Sequence, residues 1–398
     1  MTIILHVGAG KCGSSSLQAQ LSSCPLLNAD DGSQRYEYVC ITQDGNLLRR
    51  ERIQRQARLT PYEVQVSAGA EKPWATDVAA LEQLSLRLQD VLADRRTPIA
   101  SQESWIGQAS IFNANEILPR LGLCAKVVIF VRPQIPWLNS AWWQWGVWSS
   151  HDFRAFIENN KPSARWAQLI GAWQSVPGVD EVEIHPCAGD VVSSFFRSIG
   201  ITMESAKRRN ASLDENLLNY LRRRPDLRTY ENPLVDFVLE QRLAANAKGT
   251  PWVVQPEQIS DLIEYYRAGN LDLLSLVSSE ARQAMEQDPM WWDAAAYSER
   301  RAVPAELQEP TIEALEDISA RAIDAVIQLD ARVRTLEESQ RELDRELMLA
   351  KEVALRALAA KEAEERKLVS SRLRKAISIN GVRRLVGAKR AGGAASVH

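Results

Sequence analysis

The chain has 398 residues, 45% of them hydrophobic, and a formal net charge of −3. That length exceeds what one core usually fills, so a large domain with an appendage is expected. Beyond Glu365 lie nine basic residues and no acidic one; without them 39 basic residues face 51 acidic ones, a balance of −12. The body is acidic and the tail basic, and no nucleic-acid partner is expected. Five scattered cysteines form no metal spacing, which suits reduced thiols in a cytoplasmic protein. The first apolar run is only a strand long and lacks a basic flank, so no signal peptide is read, and no stretch is long and apolar enough to span a membrane.

Ile3 to Val7 is short, apolar and β-branched, and reads as a buried strand. Gly8-Ala9-Gly10-Lys11-Cys12-Gly13-Ser14-Ser15-Ser16 follows directly, and Leu17 and Leu21 then sit at helical spacing. Strand, glycine loop and helix together place free backbone N–H groups where an anion can sit. Lys11 adds a point charge and the serines add hydroxyl donors. The order differs from a Walker A loop, in which the lysine follows the last glycine; here Lys11 precedes Gly13. Cys12 lies in the loop and reads as a small filler, the alternative being a thiol activated by its setting.

The segment from Cys24 to Glu71 is polar and hard to assign, with a strand at Tyr36–Ile41 and a turn at Asp44-Gly45-Asn46. Arg49, Arg50, Arg52, Arg55 and Arg58 crowd one stretch, read first as a solvated helix face and second as an anion-binding one. Val78, Leu81, Leu84, Leu88 and Val91 predict an amphipathic helix over Thr76–Ala93. Pro98–Ser101 reads as a strand running into Gln102 and Glu103, and Ile111–Leu121 as a helix. Ala125–Val131 is a near-continuous apolar run, as expected of a central parallel strand, and ends at Arg132-Pro133. A tryptophan-rich helix follows, with Trp137, Ser140, Trp142, Trp143, Trp145 and Trp148. Further helices are expected through Trp166–Trp173, Val191–Ile199, Leu217–Leu221, Pro233–Asn246, Pro256–Ala268 and Leu271–Gln287, with a strand at Val182–His185. Strands alternating with helices predict an α/β fold: a three-layer, P-loop-like domain over residues 1–300, with a central parallel sheet and its ligand at the strands' carboxyl ends.

Lys11-Cys12-Gly13-Ser14-Ser15-Ser16 resembles the 5′-phosphosulfate loop of sulfotransferases that use 3′-phosphoadenosine 5′-phosphosulfate (PAPS). Val128–Pro133 followed by Ser140 is similar to the family's 3′-phosphate site, and Arg209-Asn210-Ala211-Ser212-Leu213 to a loop that closes over the nucleotide. Val182–Ile201 resembles a later strand and helix of bacterial members, although His185-Pro186 stands where a tyrosine is common. The motifs come in the family's order over roughly residues 1–290.

The resemblance implies sulfuryl transfer from PAPS to a hydroxyl on an acceptor, a glycan or glycolipid, without a metal. Gly10, Lys11, Cys12, Gly13, Ser14, Ser15 and Ser16 would hold the phosphosulfate, Arg132 and Ser140 the 3′-phosphate, and Asn210 and Ser212 the closing loop. Two anion clusters suit a donor with two phosphate regions, and a guanidinium suits a terminal phosphate. Lys11 would neutralise charge on the leaving phosphate oxygen. Glu103 is the candidate base, read against a helix-capping role, with His151 beside Asp152 in reserve. His6, inside the first strand, reads as a core histidine. The tryptophans read first as core and second as a sugar-stacking platform.

Ile312 to Ala357 repeats in heptads, with Ile312, Val326, Val333, Gln340 and Leu347 among the a positions and Leu315, Leu329, Leu336 and Leu343 among the d positions. A coiled coil over residues 306–365, on the order of 70 Å in its heptad stretch, would make a parallel homodimer; the alternative is one helix folded back on the domain. Residues 366–398 form a basic tail, read equally as a peripheral contact with an anionic inner membrane face or as disordered. Two other functions stay open: a P-loop kinase or NTPase, and a non-catalytic ligand-binding scaffold.

Overall fold

The computed structural model describes residues 2–61, 63–149, 152–203, 213–229, 234–243 and 250–391, with side chains through 374 except at 234. The chain divides into two units, Met1–Ala322 and Ile323–His398.

The first unit begins with β1 (Thr2–His6) and α1 (Ser14–Ser23), then β2 (Leu26–Asn28), β3 (Arg35–Ile41), β4 (Leu47–Arg49) and α2 (Glu51–Ala57). Next come α3 (Pro73–Thr76), α4 (Val78–Ala93), β5 (Thr97–Ser101), α5 (Ala109–Ala114), α6 (Ile117–Leu121) and β6 (Cys124–Val131). They are followed by α7 (Gln134–Gln144), α8 (Phe153–Asn160), α9 (Trp166–Gln174), β7 (Val179–Pro186) and α10 (Val191–Ser198). The remaining helices are α11 (Glu215–Arg222), α12 (Leu234–Leu243), α13 (Pro256–Leu276), α14 (Ser279–Gln287) and α15 (Ile312–Ala391).

The sheet runs β2-β3-β5-β1-β6-β7, with β4 on β3. β3, β5, β1, β6 and β7 are parallel, and only the β2 and β4 pairings are antiparallel. Helices cover both faces, as the α/β pattern predicts. β1 holds the centre because Ile3, Ile4 and Leu5 are buried on both sides of the sheet. Val127 through Val131 of β6 are wholly buried; each such side chain contributes about 1.5–3 kcal/mol.

The segment that resisted assignment is a small antiparallel edge. Gly45, at φ 81°, turns the chain between β3 and β4 in a conformation that disfavours any side chain. The arginines of that stretch do not share one solvated face: Arg49 and Arg50 turn inward onto buried Glu37. The expected break near residue 269 is absent, and α13 runs on to Leu276. Gly269 weakens a helix without ending it; the break falls at Ser278, whose side chain accepts from the Ala281 N–H to start α14.

Of the second unit, the helix is described to Ala391, without interruption. Val326, Leu329, Val333, Leu336, Leu343 and Leu347 are all exposed on it. Its charges pair along the helix four residues apart, at Asp330–Arg334, Glu337–Arg341 and Glu352–Arg356. No helix among the described residues is long and apolar enough to cross a membrane.

Candidate functional site

Three neighbouring strands deliver the site. β5, β1 and β6 lie side by side, and their carboxyl ends carry Glu103, the glycine loop and Arg132. The loop turns tightly, with the Cys12 N–H donating to the Ala9 carbonyl at 3.2 Å. Gly13 caps α1 at φ 84° with no side-chain hydrogen bond, and the Ser16 N–H turns back onto the Gly13 carbonyl at 3.1 Å, so the first-turn N–H groups of Ser14 and Ser15 are left for a ligand. Lys11 also stands at positive φ, 66°, a conformation that costs a non-glycine residue about 1–2 kcal/mol. Such strain fits a backbone shaped to bind.

Gly10 is a close approach: a side chain there would meet the Trp145 ring at 3.0 Å and the Glu103 carboxyl carbon at 3.9 Å. Glu103 is placed by Gln102, whose N–H donates to the His6 carbonyl at 3.1 Å and whose side chain bonds the Ser67 carbonyl at 2.6 Å. Arg132 donates to the Lys11 carbonyl at 3.1 Å, and its own carbonyl accepts from Trp166 Nε1 at 2.9 Å. Trp137 Nε1 donates to the Gly10 carbonyl at 2.8 Å.

Burial lowers the pKa of Lys11, while Glu240, Glu103 and Asp236 pull it back up and Arg132 pushes it down. Burial raises Glu103, with Lys11 opposing. Burial pushes Glu240 up to about 7, with Lys11 opposing and Asp236 adding to the rise. No ion pair closes on Lys11 among the described residues. A lysine among carboxylates that do not neutralise it by contact is a receptive anion site with a proton acceptor at hand.

Sequence reasoning missed Glu240 and Asp236, which come from α12, more than two hundred residues downstream. A helix is expected there, but nothing in its spacing aims it at Lys11. Its anchor is Arg228, fully buried, which grips Asp236 with two bonds of 2.8 Å and lies 4.3 Å over the Trp148 ring. Gln241 adds a bond to the Pro61 carbonyl.

The other expected residues differ in setting. Ser14 is buried, and Ser15 and Ser16 are half-buried on the first turn of α1. Cys12 is buried, its thiol held well above the ordinary range by burial and by neighbouring Cys187; it is a filler, not an activated nucleophile. Ser140 is buried within α7. Asn210, Ser212 and His151 lie outside the described residues. His6 is a core histidine: burial lowers it to about 3, so it stays neutral, and Nδ1 meets the Ser101 hydroxyl at 2.7 Å. Gln18 donates to the same hydroxyl at 3.1 Å, tying α1 to β5 beneath the loop. The tryptophans build structure first: Trp143, Trp148 and Trp173, like Trp137 and Trp166, bond backbone carbonyls. Only Trp145 and Trp148 of the helix and its end are half-exposed. Among the described residues no group of three or more His, Cys, Asp or Glu could hold a metal.

No protein-family profile matches the chain, and no curated protein matches it. Among solved structures, a sulfotransferase from Alicyclobacillus acidocaldarius is similar at 14% identity, with 71% of this chain and 99% of that one covered and a TM-score of 0.33. A likeness at that score does not bear on what the site does; the site's own residues must.

Proposed function

We propose that the chain is a sulfotransferase that moves the sulfuryl group from PAPS to a hydroxyl of an acceptor, a carbohydrate. The observation that carries this reading is the convergence of Lys11, Arg132 and Glu103 on the uncapped start of α1. The N–H groups of Ser14 and Ser15, the serine hydroxyls and the Lys11 ammonium hold the phosphosulfate. Arg132 has four N–H groups left after its bond to the Lys11 carbonyl, enough to fork onto a 3′-phosphate with help from Ser140. Glu103 takes the proton as the acceptor oxygen bonds to sulfur. The bond between sulfur and the phosphate oxygen breaks, and Lys11 meets the charge that grows there. Raised by burial, Glu103 is a better base than an exposed glutamate.

Isothermal titration tests the reading. The product, 3′-phosphoadenosine 5′-phosphate, is expected to bind without added metal. Removing its 3′-phosphate weakens binding by about 1.5–3 kcal/mol per charged hydrogen bond lost. Arg132→Ala weakens it similarly and makes the protein indifferent to that phosphate. Tighter binding of ATP with magnesium, or full discrimination by Arg132→Ala, overturns the assignment. For the second unit we propose a parallel dimer through the exposed apolar residues of α15. Light scattering of the full chain then gives twice the mass of the Leu336→Lys, Leu343→Lys variant; equal masses refute it.

A further inference from the structure

A cavity of about 400 Å³ opens where the tryptophan-rich segment meets the end of α11, a size typical of small-molecule sites. Val147, Trp148, Pro225 and Leu307 give it apolar walls, and Arg222 and Arg228 give it two guanidinium groups. Among the described residues no carboxylate lines it.

The two arginines differ in kind. Arg228 is already neutralised by Asp236. Arg222 is half-buried, and burial lowers its pKa, with only exposed Glu306 opposing. It donates to Asn219 Oδ1 at 3.2 Å and to the Ala305 carbonyl at 2.9 Å, both neutral acceptors. Among the described residues no carboxylate forms an ion pair with it. A cation partly withdrawn from water and held only by neutral acceptors gains from an arriving anion. A guanidinium with two of its five N–H groups engaged can still fork onto a carboxylate.

Two lining residues link the cavity to the anion loop. Arg228 lines it and grips Asp236, whose charge reaches Lys11. Trp148 lines it and lies three residues beyond Trp145, which borders Gly10. We propose that this cavity is an acceptor subsite for an acidic sugar, with Arg222 holding the sugar's carboxylate and Trp148 bordering its ring. This rests on the transfer reading above and narrows its acceptor: the sugar anchored here would extend its hydroxyls toward Gly10 and Glu103.

The test titrates the full chain at low salt with glucuronate and with glucose, which share a ring and differ in charge. Glucuronate is expected to bind at least tenfold more tightly, and added salt to weaken it. Arg222→Gln should reduce glucuronate affinity tenfold or more, to the level of glucose, and Arg222→Lys should restore part of it. Product-nucleotide binding and melting temperature report whether each variant is folded. Equal affinity for the two sugars overturns the proposal, as does a folded Arg222→Gln that holds glucuronate like the wild type. The wild-type comparison decides even if that variant fails to fold. Glucuronate binding that depends on Arg222 in a protein that ignores the nucleotide would sink the transfer reading and leave the subsite standing. Nucleotide binding without preference for glucuronate would sink the subsite alone.

Discussion

The sheet carries a charge cluster at each end, and the two are built on opposite principles. Toward the amino ends, Glu37 of β3 is fully buried yet fully met: Arg49 bonds it at 2.6 and 2.9 Å and Arg50 at 3.2 Å. Asp94 closes the ring from the far side, and its carboxyl is held low by the same two arginines. At the carboxyl ends, Lys11, Glu103 and Glu240 are partly buried, Lys11 feels the charge of both carboxylates, and among the described residues the three form no ion pair. A completed cluster stabilises; an incomplete one waits for a ligand. Burial alone does not separate the two, but hydrogen-bond completion does.

That contrast can be broken or sharpened by substitution. Glu37→Gln should give the largest effect, because it removes the buried anion that Arg49 and Arg50 share and leaves them only the exposed Asp94. A loss of about 3–5 kcal/mol is expected, read by denaturant titration, with nucleotide affinity in the surviving folded protein unchanged. A neutral outcome would mean the amino-end cluster does not hold the edge. Lys11→Ala should do the reverse. Turnover with PAPS falls by about 10²–10³-fold, while the melting temperature holds or rises, since a desolvated cation is removed. A fall in stability comparable to that of Glu37→Gln would make Lys11 structural. Glu103→Gln is expected to cost about 10²-fold in turnover with product affinity nearly intact; full activity would pass the base role to Glu240.

The smallest effect is a pH slope. Glu240 titrates near 7 in the fold against about 4.5 unfolded, so the folded state binds the extra proton between those values. Its contribution to stability is present below about pH 4.5 and is lost as pH rises through about 7. Glu240→Gln should flatten that part of the stability curve, and an unchanged curve would show that Glu240 does not titrate there.

Much of the carboxyl-end cluster was legible because it is local. The strand, the glycines and Lys11 lie within one short run, and the Ala125–Val131 run announced the strand that presents Arg132. The amino-end cluster was not legible. Arg49 and Arg50 sit in a basic stretch whose spacing suits a solvated face, and only the antiparallel pairing of β3 with β4 turns them onto Glu37. Glu240 was hidden for a related reason. α12 is positioned by Arg228 gripping Asp236 over Trp148, a long-range arrangement that no periodicity encodes. Ser140 illustrates a limit of a different sort: a serine in a helix looks the same in sequence whether it faces a phosphate or the core.

The indole contacts of the loop have a consequence for sign. The carbonyls of Gly10 and Arg132 point their negative ends at tryptophan N–H groups. An indole can only donate, so neither cap can reverse its role as a serine or asparagine could. The Gly10 and Arg132 carbonyls are therefore held as acceptors by groups that cannot exchange roles, and neither is free to turn toward an anion. The sign preference of these two positions is set by the fold before any ligand arrives.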